Sequence, residues 1–120
     1  MYEITSKKYD GAILTFKSIH PKWSYVKTDK DDYVNKVAEK KVISNKATVG
    51  VYYWRHGSDY IKFAKEMIKK NLRVNNEFYV CPVYNNAIDA KKKIKAFNVD
   101  EMMGLGTPED LNSFLKKINF

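Results

Sequence analysis

Residues 34–54 read VNKVAEKKVISNKATVGVYYW. The stretch sets a carboxylate and an ammonium side by side in Glu39 and Lys40, and after a short polar connection it enters an apolar run. From Ala47 to Trp54 only Thr48 and Gly50 are neither apolar nor aromatic, and Val49, Val51, Tyr52, Tyr53 and Trp54 are residue types that favour strands. The pattern predicts a strand buried on both faces. A glycine inside such a strand gives up packing and often marks a close approach by a ligand or another backbone. The expectation is a Glu39–Lys40 pair at the rim of a pocket floored by the strand that carries Gly50.

On the N-terminal side, residues 1–9 are mixed and polar with weak structure, and Asp10-Gly11 introduces AILTF (12–16), an interior strand. Residues 18–22, with His20-Pro21, read as a loop. Trp23–Lys27 and Tyr33–Ala38 flank the polar cluster Thr28-Asp29-Lys30-Asp31-Asp32, the signature of a β-hairpin with a longer turn. On the C-terminal side the apolar period changes from two to 3.6 after Arg55-His56-Gly57-Ser58. A helix follows, capped by Ser58 or Asp59, with Tyr60, Phe63, Ala64, Met67 and Ile68 inward. A second helical pattern holds Val80, Val83, Tyr84, Ala87 and Ile88, and it tolerates Pro82 only in its first turn. The lysine run 91–93 reads as a solvated turn before an edge strand over 94–99. In GLGTPEDLNSFLKKI (104–118), Thr107 is the N-cap, Pro108 stands at N1, Glu109 favours the positive helix end and Asp110 takes the capping-box position. Leu111, Phe114, Leu115 and Ile118 form a stripe expected to dock this helix on the body. The class is α/β, a mixed sheet flanked by helices.

With 120 residues and an apolar fraction of 44%, the chain suits a single domain over 1–120 with a moderate core. No apolar run reaches the roughly 20 residues that span a bilayer, and MYEITSKKYDG lacks the apolar core of a signal peptide. One cysteine, Cys81, excludes an internal disulfide, which fits a cytoplasmic protein with no membrane partner. The formal charge is +8, and all but two of the 22 cations are lysine; the exceptions are Arg55 and Arg73. Lysine is a hydrated point charge, whereas arginine is the usual reader of base edges. The excess could draw nucleic acid, an anionic membrane or a small phosphorylated ligand, with a solvated lysine surface as the plain alternative.

Most familiar catalytic patterns are absent. His20 and His56 stand in no metal-ligand spacing and in no nucleophile motif with Cys81, which reads as a core residue. There is no GxxxxGK[ST] or GxGxxG, and Gly104-Leu105-Gly106 is too short for a phosphate loop, though it precedes a helix N-terminus. Glu39-Lys40 is the better candidate: on a strand end its side chains would point to opposite faces, one toward hydroxyls and one toward a phosphate.

The order V-A-E-K, T-V-G-V-Y-Y-W, a helix, N-N-E-F-Y-V and G-L-G-T-P-E-D-L, from about Asp10 to the end, resembles the C-terminal half of the nucleoside-diphosphate-sugar pyrophosphorylases. These sugar nucleotidyltransferases activate sugars for capsule, lipopolysaccharide and related polymers, and they have a Rossmann-like (GT-A-like) fold. The resemblance implies that Glu39 binds sugar hydroxyls and Lys40 the sugar 1-phosphate. It implies that Gly50 lets the backbone approach the sugar ring and that Val49 and Tyr52 line the same pocket. Asn76 and Glu77 match the family's N-G-E-F segment, with Asn76 in place of the glycine, for acceptor contact or helix capping. The implied reaction is attack of an acceptor phosphate oxygen on the α-phosphorus of a nucleoside triphosphate, with pyrophosphate leaving and Mg²⁺ neutralising charge.

Two positions depart from the family pattern: Lys41 stands where many members have proline, and Gly104 where several have a metal-binding aspartate. The family's glycine-rich nucleotide loop, activating lysine and first metal-binding aspartate have no counterpart. The resemblance therefore implies an acceptor-binding half with no catalytic or metal residue of its own, inactive alone, with Mg²⁺ and the nucleotide belonging to the complete enzyme. Two other classes compete. A lysine-rich nucleic-acid module ranks second, because the aromatics sit within apolar strands and not beside the lysines. An assembly module would form homo-oligomers through an exposed sheet edge.

Overall fold

The computed structural model describes residues 9–118, so the first eight residues of the predicted weak N-terminal segment lie outside it. Among the described residues there are five strands: β1 (Gly11–Lys17), β2 (Tyr25–Thr28), β3 (Val34–Ala38), β4 (Lys46–Trp54) and β5 (Ile94–Asn98). Three helices accompany them in the same residues: α1 (Gly57–Lys69), α2 (Val83–Asp89) and α3 (Pro108–Lys117). The sheet order is β3-β2-β4-β1-β5. β5 lies parallel to β1 and the other pairings are antiparallel, so the mixed α/β class holds.

The β2–β3 hairpin forms as its polar turn predicts. The Asp29 carboxylate accepts from the backbone N–H groups of Asp31 (2.9 Å) and Tyr33 (3.0 Å), which closes the turn from within. β2 buries Tyr25 and Val26, β3 buries Val34 and Val37, and Val26 stands opposite Val37 across the pair. β5 is an edge strand as expected, and the hairpin tip reaches it, with the Ala96 N–H bonding the Asp32 carbonyl at 2.9 Å.

β4 is not buried on both faces. Only Ala47 and Thr48 are buried, Gly50 is exposed, and Val51 is 45% exposed. The reason lies in the pairing: β2 meets β4 only at Tyr25 opposite Ala47, so among the described residues the edge from Val49 to Trp54 has no strand beside it on that side. Gly50 stands inside a register irregularity against β1 with φ +91°. A Cβ there would meet nothing within 4 Å. Its glycine therefore serves the left-handed backbone of a bulge and not a close approach. Gly11 is the glycine that does: a Cβ there would lie 2.9 Å from the Tyr53 carbonyl oxygen and 2.9 Å from Ile94 Cδ1.

The core lies between the sheet and helices α1 and α2. Trp54 at the end of β4 stacks on Tyr84 of α2 (centroids 4.3 Å, interplanar angle 7°) and meets Phe63 of α1 at 6.4 Å. The Tyr84 hydroxyl donates to the Tyr53 carbonyl at 2.8 Å. Asn86 joins the two helices by donating to Glu66 Oε1 at 3.1 Å, and together with Lys70 it holds the Glu66 carboxyl below its ordinary range.

Several boundaries differ from the sequence expectations. α1 begins one residue before Ser58, with His56 as an N-cap that makes no side-chain bond. Ile68 is exposed, while Phe63 and Met67 are buried. α2 starts after Pro82, and Val80 lies exposed outside it. α3 has the expected cap, Thr107 Oγ1 accepting from the Asp110 N–H at 3.1 Å. It buries none of its residues, however, and Leu111 and Ile118 are 45% and 44% exposed. Among the described residues the expected docking of its stripe is only partial: Phe114 and Leu115 are half-buried, while no member of the stripe is buried.

Candidate functional site

Among the described residues, six other than glycine have positive φ: Asp32, Lys40, Asn71, Asn75, Asn76 and Lys91. A left-handed backbone costs an L-residue roughly 1–2 kcal/mol, so each needs a reason. Asp32 closes the hairpin turn. Asn71 and Lys91 follow the last turns of α1 and α2, where the next N–H reaches back to Met67 (3.1 Å) and Ala87 (3.0 Å), as in a Schellman cap. Asn75 and Asn76 are the two central residues of a tight hairpin in which Val74 and Glu77 exchange both backbone bonds at 2.9 Å. Two consecutive left-handed residues suit a type I′ turn, which explains why asparagine, or glycine, stands at position 76. Lys40 alone sits in no such turn.

Lys40 follows Glu39 in a bend just past the end of β3. The two side chains therefore do not take opposite faces of a strand. They line one cavity of about 460 Å³ together with Val37, Ala38, Lys41, Val74, Asn75, Pro82 and Asn85. A carboxylate and an ammonium at one concave surface can accept hydroxyls and neutralise an anion side by side.

Each partner is held. The buried Ser24 hydroxyl donates to Glu39 Oε2. A carboxylate only accepts, so this bond fixes the direction of the hydroxyls behind it. Ser24 also neighbours the phenol of Tyr52, which bonds Thr48 Oγ1 at 2.9 Å, and the buried thiol of Cys81. Burial first, and Cys81 second, raise the Tyr52 phenol well above its usual range. Burial, with the Glu39 charge after it, pushes Cys81 up to about 12. Tyr52 and Cys81 are neutral near pH 7 and back the Ser24 hydroxyl, which alone of the three bonds the carboxylate. On the other side, Lys40 Nζ lies 5.2 Å from the Tyr79 ring centroid. Tyr79, followed by Glu39 and Glu77, raises the Lys40 ammonium above the usual lysine value.

The structure thus brings together Glu39, Lys40 and the 74–79 segment, with Glu77 near Lys40 and Asn76 exposed at the hairpin tip. Tyr52 reaches this group through Ser24. Val49 and Gly50 do not line the cavity, because β2 stands between β3 and the strand that carries them. The pocket expected over Gly50 is replaced by one against β3 and the 74–77 hairpin. Ser24 and Asn85 escaped the sequence reading, since neither sits in a motif and their partners are 15 and 48 residues away. Among the described residues no three His, Cys, Asp or Glu side chains form a group that could hold a metal ion. No helix among the described residues is long and apolar enough to cross a membrane.

Searched by sequence, the chain matches no family model and no curated relative. The fold is an α/β unit that matches a fragment of the Rossmann-like nucleotidyltransferase fold. Among solved structures it is similar to the nucleoside-diphosphate-sugar pyrophosphorylase from Vibrio cholerae RC9, with 25% identity and a TM-score of 0.82 over 90% of this chain and 47% of that one. It is also similar in fold to a glucose-1-phosphate thymidylyltransferase from Bacillus anthracis in complex with sucrose, at 20% identity and a TM-score of 0.68, over 98% of this chain and 48% of that one. A third is a CMP:2-keto-3-deoxy-manno-octonic acid synthetase complexed with CTP, at 14% identity and a TM-score of 0.56, over 93% of this chain and 50% of that one. The chain spans about half the length of the solved structures it matches.

Proposed function

We propose that this chain is the acceptor-binding half of a sugar nucleotidyltransferase. In this reading Glu39 accepts from sugar hydroxyls, Lys40 neutralises the sugar phosphate, Val74 and Asn75 wall the cavity, and Asn76 and Glu77 complete the hairpin beside it. The observation that carries it is Lys40: its left-handed backbone serves no turn or cap, yet it sets its side chain beside Glu39 at one cavity. Strain kept without a structural reason is characteristic of ligand clamps. The nucleoside triphosphate and Mg²⁺ belong to a complementary half, so this chain alone is expected to bind the acceptor without turning it over.

Isothermal titration with glucose 1-phosphate and with glucose tests this. The phosphate ester is expected to bind wild type, Lys40→Ala to remove most of its advantage over glucose, and Glu39→Ala to weaken both. Equal binding by wild type and both variants, or no binding by any, would falsify the reading. The open edge of β4 favours a second reading, self-assembly by strand addition. Light scattering that gives a dimer or larger species, broken by Val51→Lys, would support it.

A further inference from the structure

We propose that Asn85 is a positioning residue for the Glu39–Lys40 bend, a role that rests on the acceptor-site reading above. Its side-chain oxygen accepts from the Val37 N–H and its side-chain nitrogen donates to the Val37 carbonyl, both at 2.9 Å. Both backbone groups of Val37 therefore point away from β2, to the open side of β3, and one amide from α2 pairs with them as a neighbouring strand would. β3 is the edge of the sheet, and an edge strand without such a partner is free to fray or to pair elsewhere.

The segment beyond Val37 makes this clamp more than edge protection. Outside the strand ladders, no backbone hydrogen bond among the described residues involves 39–43. Side chains meet the bend from three sides: Ser24 on Glu39, Tyr79 beside Lys40, and Asn85 on Val37, next to the Ala38–Tyr25 pair that ends the ladder. A left-handed Lys40 persists only if its surroundings over-determine it. Asn85 lines the same cavity, and α2, which carries it, is seated on the core by the buried side chains of Val83, Tyr84 and Ala87. Through Asn85 the seated helix sets where the end of β3 lies, and thereby where the carboxylate and ammonium meet a ligand.

The neighbouring asparagines supply a matched test. Asn85→Ala removes both bonds; Asn85→Asp keeps the shape of the side chain but loses the donor to the Val37 carbonyl. Asn86→Ala cuts the tie to Glu66 on the same helix and leaves the clamp. Amide hydrogen exchange over residues 37–41 and titration with glucose 1-phosphate are read on each. Both Asn85 variants are expected to speed exchange at Val37 and the bend, and to weaken binding roughly 10- to 100-fold, the scale of an ångström-level misplacement. Asn86→Ala is expected to lower Tm with neither effect. The proposal is overturned if exchange at 37–41 is unchanged in both Asn85 variants, if Asn86→Ala loosens the bend equally, or if the bend loosens while affinity stays. Wild type that binds no sugar phosphate sinks the acceptor reading and this role with it; Asn85 variants that bind as tightly as a binding-competent wild type sink only the clamp.

Discussion

The face of the sheet under α1 and α2 and the segment from Met102 to Ile118 were built by the same chain to opposite standards. On the first, aromatic stacking, the Asn86–Glu66 bond and the Asn85 clamp leave Phe63, Cys81, Val83 and Tyr84 essentially inaccessible. On the second, a well-capped helix has no fully buried residue, and among the described residues its ion pairs are those of Asp110 with Lys22 at 3.1 Å and of Lys117 with Glu101. Local grammar is enough to make a helix, but position comes from burial and from long-range polar contacts. The Glu39–Lys40 cavity sits on the stitched side, which is where a binding site needs its support.

The contrast is broken most forcefully by deletion. Tyr84→Ala removes a fully buried ring, its stack on Trp54 and its bond to the Tyr53 carbonyl, and is expected to cost about 3–5 kcal/mol. Leu111→Ala on α3 is expected to stay below about 1 kcal/mol, because the side chain is already half in water. Urea denaturation of the two variants reads the difference, and similar losses would mean that α3 is docked after all.

Alkali probes the same asymmetry. Cys81 is raised from 9.0 to about 12 by burial, so the folded state holds its proton more tightly than the unfolded chain. Its contribution is fully present below pH 9 and is lost as pH climbs toward 12. The raised phenols of Tyr52 and Tyr84 act in the same direction. Stability measured by denaturant is expected to fall between pH 9 and 12, and less steeply in Cys81→Ala. In acid the sign reverses for α3: the Asp110 carboxyl is lowered from 3.8 first by Lys22, so that tether is present above 3.8 and fades as pH drops through the lower folded value.

The glycines sharpen the contrast on a smaller scale. Gly11→Ala drives a methyl group into the Tyr53 carbonyl and the core, a strain of about 1–3 kcal/mol. Gly50→Ala meets no atom and bears only the left-handed backbone, about 1–2 kcal/mol. Melting curves should show the first substitution as the worse of the two.

These two glycines also mark how far the sequence could be read. Alternation gave the strands and the hairpin, the 3.6 period gave α1, and the Thr107-Pro108 cap gave α3, because each is written in neighbouring residues. Glu39 and Lys40 were legible as a pair, and the order of short segments around them pointed to the fold. Gly50 was misread as a place of close approach, since a bulge depends on how β1 pairs with β4 and not on β4 itself. Ile68, Leu111 and Ile118 show the related limit: periodicity says which face of a helix is apolar, but another element must exist to cover it. Ser24 and Asn85 were invisible for the same reason, as their meaning lies in partners distant in the chain, Glu39 and Val37.

The central claim is that the cavity between the end of β3 and the 74–77 hairpin takes a phosphorylated sugar. Titrating ¹⁵N-labelled protein with glucose 1-phosphate while following backbone amides tests it residue by residue. Saturable shifts concentrated at 37–41 and 74–79, absent in Lys40→Ala, are the expected result. Shifts confined to 101–118, or a spectrum that does not change at all, would contradict it.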